Sequence, residues 1–326
     1  MNEKKEPCPL CGADARLWIK SDIYEFECPR CGWFATLDSP RLFRIGTNLR
    51  PVSTFTREET LKRGPTPLLG FDYTPEVTGK YRPASIKEIV ATYWPQSIGD
   101  RLDRALVNLG KLSEYAGMRV SIKETDDALL YAKNCEEMLF VLDSLVETSL
   151  IDKKPPVTNA NGVEAHGALC MVVVRAAGWR RVNELQSAAE REKSKRVFVA
   201  MWFDEETNAA FQEGISLAIR DDCGFDPKRI DLTEFNEDVV AEIYAEIRSS
   251  RFVVADLTGH RLGVYFEAGY AKGLGLPVIF TCRDDALKSS HFDVRNYNTV
   301  VWHDPEELRR KLTNRIRGTI TGAKLA

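Results

Sequence analysis

The sequence predicts an α/β protein. Its C-terminal part is read as a parallel-sheet domain, preceded by a small cysteine-rich segment and a mainly helical middle domain. Three observations carry this reading. From Arg196 onward, apolar runs of strand length alternate with amphipathic helical stretches, the pattern of parallel strands joined by crossover helices. Near the N-terminus, "CPLCG" and "CPRCG" form two CxxC pairs separated by 16 residues. Between them and the C-terminal part, leucines recur at helical spacing.

Residues 1–46 are read as a zinc ribbon. Cys8, Cys11, Cys28 and Cys31 supply four soft thiolates, the complete tetrahedral set of a structural zinc with no position left open for catalysis. Two residues between cysteines let one tight turn present both sulfurs, and Gly12 and Gly32 after each pair permit a positive φ. Such a short segment needs the metal to fold. "ARLWIK" and "IYEFECP" are its expected strands. Trp18, Tyr24, Phe26, Trp33 and Phe34 leave two uses open: a staple with no other role, or a face that recognises protein or nucleic acid.

Residues 47–84 read as a connector, because Pro, Gly, Thr and charges interrupt every periodic pattern. Residues 85–190 begin with helical text in which Leu102, Ala105, Leu106 and Leu109 share a face. A second helix follows Asn134, a good N-cap, with Glu136 and Glu137 in its first turn and Met138, Leu139, Leu142 and Leu145 as its apolar face. "PPVTNANGVEAHG" is a hairpin-type loop with "NG" at its turn, and "ALCMVVVRAAGWRRVNELQ" continues as strand, turn and helix. In this order of elements the segment resembles a winged helix-turn-helix. The helix before the wing carries Glu136, Glu137, Asp143 and Glu147, which repel phosphates, so a protein-contact or sensor role is preferred over DNA binding or a spacer. "SAAEREKSKR" then reads as a hinge.

Residues 195–326 form the predicted parallel-sheet domain. "RVFVAMWF" is its first strand, and the helix after it places Phe211, Ile215 and Ile219 at i, i+4 and i+8 before Gly224. "RIDLTEF" is the second expected strand. A helix capped by Asn236 turns Val240, Ile243 and Ile247 inward. "RFVVADL", "LPVIFTC" and "NTVVW" are the next strands. "GVYFEAGYAKGLG" is a helix between two of them, and the closing helix has Asp304 as cap and Pro305 at its first position. Ligands of such sheets bind at the carboxyl ends of the strands. Glu267, in the expected first turn of its helix and set among Tyr, Phe, Ala and Gly, is therefore the candidate catalytic acid. Asp256, ending the preceding strand, points to the same rim and is the second catalytic candidate.

"RVFVAMWFD", "RFVVADLTG…GVYFEAGYAKGLGLPVIF" and "HFDVRNYNTVVW" together resemble the nucleoside 2-deoxyribosyltransferase-like family, over about Arg196 to Ile316. The resemblance implies a flavodoxin-like domain, related in plan to the NAD-cleaving Toll/interleukin-1 receptor domains. It makes Glu267 the nucleophile or the anion that stabilises an oxocarbenium-like centre. It gives Asp256, Thr258 and Gly259 the ribose hydroxyls or a phosphate, and stacks the base on Trp202 and Phe203. Tyr265 stands beside Glu267, and Phe292, Asp293 and Asn298 close the pocket. This chain departs from the family where another acid is usual, six residues before the nucleophile. Arg261 stands there, and with His260 it favours a phosphorylated substrate over a free nucleoside.

The implied partner is a nucleotide, nucleoside or NAD-type small molecule, bound by a homo-oligomer. A protein or nucleic-acid trigger would act through the front domains, in a layout that resembles a regulated anti-phage effector. The alternative is a nucleotide-sensing regulator without turnover. A net charge of −3 gives no broad basic surface. "MNEKKEPCPLCG" has no signal-peptide core and no apolar run is long enough to span a membrane, so a cytoplasmic protein without membrane partners is expected. The scattered Cys135, Cys170, Cys223 and Cys282 fit a reducing compartment.

Overall fold

A computed structural model describes residues 3–20, 22–38, 48–71, 79–156, 167–230, 239–287 and 297–324. The chain is mixed α/β with ten α-helices among these residues. It divides into two compact units, 1–186 and 187–326.

The first unit begins with a six-stranded sheet in chain order: β1 (Lys4–Pro7), β2 (Asp14–Lys20), β3 (Ile23–Cys28), β4 (Gly32–Thr36), β5 (Thr66–Gly70) and β6 (Tyr81–Ser85). The first four strands pair antiparallel, whereas β4–β5 and β5–β6 are parallel. Strand alternation sets the faces: Ala15 and Leu17 point inward, and Arg16 and Trp18 outward. Helix α1 (Arg50–Leu61) covers the inner face, packing Val52 and Phe55 with Leu17, Phe26, Phe34 and Leu69.

The expected connector over 47–84 is therefore corrected. Its described part holds α1, β5 and β6, and it completes the core of the cysteine-rich segment. Parallel pairing leaves no tight-turn signal, and the partner of β5 lies some thirty residues earlier in the chain, with Ala35 opposite Leu68.

The helical part comprises α2 (Ile86–Thr92), α3 (Ile98–Leu112), α4 (Cys135–Glu147) and α5 (Ala176–Lys193), with strands β7 (Val120–Ile122), β8 (Ile151–Lys154) and β9 (Cys170–Val174). The strands form an antiparallel sheet in the order β7-β9-β8. Ser85, Ser97 and Asn134 cap α2, α3 and α4 by accepting from the backbone N–H three residues on. Leu106, Leu109, Met138, Leu142 and Leu145 meet Ile151 and Val172 in its core, but Leu139 faces outward. The "NG" turn lies outside the described residues.

A buried polar network ties this part to α1, which is why the unit does not separate at a linker. The Glu58 carboxylate is buried and accepts from Asn108 Nδ2 at 2.6 Å, from the Tyr131 hydroxyl at 2.9 Å and from the Tyr93 hydroxyl. Burial and the neighbouring carboxylate push both phenols up, so they remain donors. Arg30, inside the second CxxC turn, ion-pairs with the fully buried Asp127 at 2.9 Å.

The second unit is built on a parallel sheet of β10 (Arg196–Ala200), β11 (Asp226–Lys228), β12 (Phe252–Asp256), β13 (Val278–Arg283) and β14 (Val300–Trp302). Their spatial order is β11-β10-β12-β13-β14, and every pairing is parallel. All five residues of β12 are buried, as the apolar run requires of a central strand covered on both faces. After β10 the chain enters α6 (Glu205–Ala209), which continues as wide-turn helix through Ala210–Ile215 and Ala218–Asp222 and turns off at Gly224, φ 75°. Ile215 and Ile219 are fully buried, with Phe211 packed beside them. Helices α7 (Val239–Ser249), α8 (Leu262–Gly273), α9 (Asp284–Leu287) and α10 (Pro305–Thr319) follow. Asp304 caps α10, accepting from Glu307 N–H at 2.8 Å.

Two local expectations change. The second strand falls at Asp226–Lys228, before the expected "RIDLTEF". Val240 is largely exposed, while Ile247 carries the buried face of α7. Asn236 lies outside the described residues.

Candidate functional site

The second unit has a cavity at the carboxyl ends of β10 and β12. Those strands are adjacent in the sheet, but β11 lies between them in the chain. This is the reversal in strand order where parallel sheets open a crevice. The cavity has a volume of about 410 Å3. Phe198, Met201, Trp202 and Phe203 line it from β10 and its exit loop, with Ile230 and Ile243 across from them. Arg261, Gly263, Val264 and Glu267 come from the start of α8. Its lining is mainly apolar with few polar groups, the usual composition of a small-molecule site.

Glu267 is the acid of this cavity. It sits in the second turn of α8, since that helix starts at Leu262 and has no acid in its first turn. The expected first-turn position is corrected, so the help a helix N-terminus gives a carboxylate has largely faded at Glu267. Burial pushes its pKa from the ordinary 4.5 up to about 7. No nearby cation opposes that shift among the described residues. The carboxyl is therefore balanced between its two protonation states near neutral pH. It can act as a base or nucleophile when ionised, and as an acid or hydrogen-bond donor when protonated.

Trp202 forms the cavity wall with Arg261, whose guanidinium lies 4.4 Å from the ring centroid. Gly259 makes this packing possible. A Cβ there would lie 2.7 Å from the Trp202 Cβ, so Gly259 serves the tryptophan's seat. Phe203 lines the cavity too, and Arg229 is held between it and Phe211 at 4.9 and 4.3 Å.

Five expected site residues go elsewhere. Asp256 is 1% exposed and its carboxylate is occupied. It accepts from Thr281 Oγ1 at 2.6 Å, Trp302 Nε1 at 3.2 Å and Thr258 N–H at 3.1 Å. Burial pushes its pKa up against these donors. Asp256 thus clamps β12, β13 and β14 from beneath the rim, which corrects its reading as a catalytic or sugar-binding group. Thr258 is also buried, and its hydroxyl accepts from Arg283 N–H at 3.0 Å. Asn298 precedes β14 and so lies toward the amino edge of the sheet. Its backbone carbonyl and side-chain oxygen accept from Arg315 at 2.8 and 2.9 Å. His260, at φ 49°, contacts the Tyr265 hydroxyl through Nδ1 at 3.3 Å, and neither residue lines the cavity. Phe292 and Asp293 lie outside the described residues.

Sequence reasoning missed Met201, Ile230, Ile243 and Val264. Each is an ordinary core-type residue, and it becomes a wall only where the end of β10, the segment after β11, α7 and α8 meet around the cavity.

The first unit holds a candidate metal centre. Cys8, Cys11, Cys28 and Cys31 place their sulfurs within 4.8 Å of one another. The Cys8–Cys31 and Cys11–Cys28 distances are 3.7 and 3.5 Å. Those are far beyond a disulfide bond, and they approach the edge of about 3.8 Å of a thiolate tetrahedron around a zinc-sized ion. Gly12 and Gly32 take φ 78° and 73° at the two knuckles. A Cβ on Gly32 would also strike Thr60 Oγ1 at 2.2 Å. Cys31 Sγ lies 3.0 Å from the Ser53 hydroxyl, and Cys28 Sγ accepts from Cys31 N–H at 3.4 Å. Burial pushes the Cys31 thiol up, a cost that a bound dication reverses by stabilising the thiolate. The four residues fit a single metal ion.

No protein-family model matches the chain, and no curated protein matches it. Among the described residues, no helix is long and apolar enough to cross a membrane.

Proposed function

We propose that the second unit is a flavodoxin-like, nucleoside deoxyribosyltransferase-like domain that cleaves or transfers the N-glycosidic bond of a nucleotide-type substrate, with Glu267 at the anomeric carbon. The observation that carries this reading is the Glu267 carboxyl, held near pKa 7 by burial in an apolar cavity at the switch point of a parallel sheet. In the ionised state it attacks C1′, or shields the positive charge that grows there as the C–N bond breaks and its electron pair leaves with the base. The growing charge in turn favours the carboxylate, so the burial that raises the pKa at rest strengthens the attraction in the transition state. Water or another base then takes the glycosyl group and gives up its proton.

The lining of the cavity narrows the substrate class. With Asp256 sequestered, Glu267 is the one carboxylate among the described lining residues. A neutral purine or pyrimidine leaves well only when protonated, and a second acid would normally supply that proton. A cationic base, such as the pyridinium of an NAD-type dinucleotide, departs neutral and needs no acid. Arg261 at the mouth suits its phosphates. The cysteine cluster would hold a structural zinc, and the winged-helix-like part would sense a trigger.

The sequestering of Asp256 also favours a second reading, a nucleotide sensor without turnover. The deciding experiment incubates wild-type and Glu267→Gln protein with NAD, NADP, nucleotides and deoxynucleosides and follows released base by mass spectrometry. Release by wild type alone, strongest from pyridinium dinucleotides, is expected. Equal release by both proteins would remove Glu267 from the mechanism. Tight binding without release by either would leave the sensor.

A further inference from the structure

We propose that the outer face of α4 docks a basic amphipathic helix of a partner protein. This inference is independent of the activity proposed for the second unit. Along α4, Met138, Val141, Leu142 and Leu145 are buried in the core of their unit. The helix residues left exposed are Glu136, Leu139, Phe140, Asp143, Val146 and Glu147. They recur at intervals of three and four positions, so they form one stripe, roughly 16 Å long from the rise per residue.

The centre of this stripe is apolar. Phe140 is 56% exposed, Leu139 37% and Val146 36%. A helix face that meets only water carries polar residues at such positions. Exposed apolar residues scattered singly need no explanation, but three on one stripe mark a contact surface.

The rim is acidic, and that selects the occupant. No lysine, arginine or histidine lies within α4. Glu137, on the flank, is taken by Arg101 at 2.7 Å and has Lys133 beside it, and Asp143 is taken by Lys153 of β8. Glu136 and Glu147, at the two ends of the stripe, have no ion-pair partner among the described residues. A nucleic acid or an anionic membrane surface brings phosphates, which these carboxylates repel. A polar protein loop leaves Phe140 uncovered. A helix with an apolar stripe flanked by Lys and Arg answers both features. Its apolar residues, repeating at i, i+3, i+4 and i+7, lie over Leu139, Phe140 and Val146, and its cations reach Glu136 and Glu147. About twelve residues of such a helix cover the stripe.

The test uses the full-length protein and a fluorescein-labelled peptide of about 18 residues, built of Leu and Lys in amphipathic helical order. One control peptide replaces Lys by Glu, and a second scrambles the order at the same composition. Binding is read by anisotropy at about 50 and 150 mM salt. The Leu/Lys helix is expected to bind about tenfold or more tightly than either control. Phe140→Ala should weaken its binding on the order of tenfold at both salt concentrations. Glu136→Lys/Glu147→Lys should weaken it by about as much and flatten its salt dependence. These positions are exposed, so the variants keep the fold, which circular dichroism checks. Glu213→Lys/Glu306→Lys makes the same charge change at exposed positions of the second unit and should leave binding unchanged. The proposal is overturned if the Leu/Lys helix does not bind, if either control peptide binds equally, if Phe140→Ala binds as wild type does, or if the second-unit variant loses as much affinity as the α4 variant. Self-association of wild type in sedimentation that Phe140→Ala abolishes would overturn it too, by assigning the face to a second copy of this chain.

Discussion

Replacing Glu267 by Gln should make the second unit more stable at pH 8 and leave it nearly unchanged at pH 4.5. The folded-state pKa is about 7 against an ordinary value of 4.5, and burial is the sole cause. Below pH 4.5 the group is neutral in both the folded and the unfolded chain and costs nothing. Between 4.5 and 7 the unfolded chain releases the proton while the folded chain keeps it. Stability therefore falls as pH rises through this window, and the loss is complete above the folded-state pKa. At about 1.36 kcal/mol per pKa unit the loss is roughly 3 kcal/mol, which glutamine avoids because it carries no charge to desolvate. For a unit of this size that corresponds to a rise in Tm of roughly 10 °C at pH 8. Calorimetry of wild type and variant between pH 4.5 and 8 measures it on the transition assigned to the second unit. A difference that stays flat across the window, or a wild type more stable than the variant at pH 8, would refute the claim that Glu267 is held neutral by burial. The same titration bears on chemistry: wild-type turnover should rise with pH through about 7 if the ionised carboxylate is the reacting form.

Two further outcomes follow from the geometry. Gly259→Ala forces a Cβ to within 2.7 Å of the Trp202 Cβ. It should destabilise the second unit by about 1–3 kcal/mol in urea titration and weaken ligand binding, because the tryptophan wall must shift. The protein should carry one equivalent of a divalent metal, zinc by ligand chemistry, as read by elemental analysis. Cys28→Ser should abolish that equivalent, and a strong chelator should unfold the first unit while the second keeps its own transition.

The cysteine centre was legible in the sequence because its information is local. Two residues between thiolates and a glycine after each pair define the knuckles wherever the segment sits. The alternation of buried runs and capped helices after Arg196 was legible for the same reason, since a strand covered on both faces must be apolar throughout. Asn134 and Asp304 announced their helices by the side-chain oxygen that a cap requires. β5 and β6 were not legible, because parallel strands are joined by long connections and their pairing is decided by residues far away in the chain. The polar network at Glu58, which removes the expected linker, joins residues of α1, α3 and the turn before α4 that nothing local relates.

At the candidate site the division falls between two acids. The sequence placed Asp256 and Glu267 near the same rim, and by residue type they were equivalent. Tertiary structure separated them. Donors from β13, β14 and its own loop enclose Asp256, and the apolar walls of β10 and α7 desolvate Glu267. Residue types and spacing determined which groups this protein carries and which local turns hold them. Packing decided which carboxyl is spent on holding strands together and which keeps a pKa fit for chemistry, because desolvation depends on what surrounds a group in space and not on what precedes it in the chain.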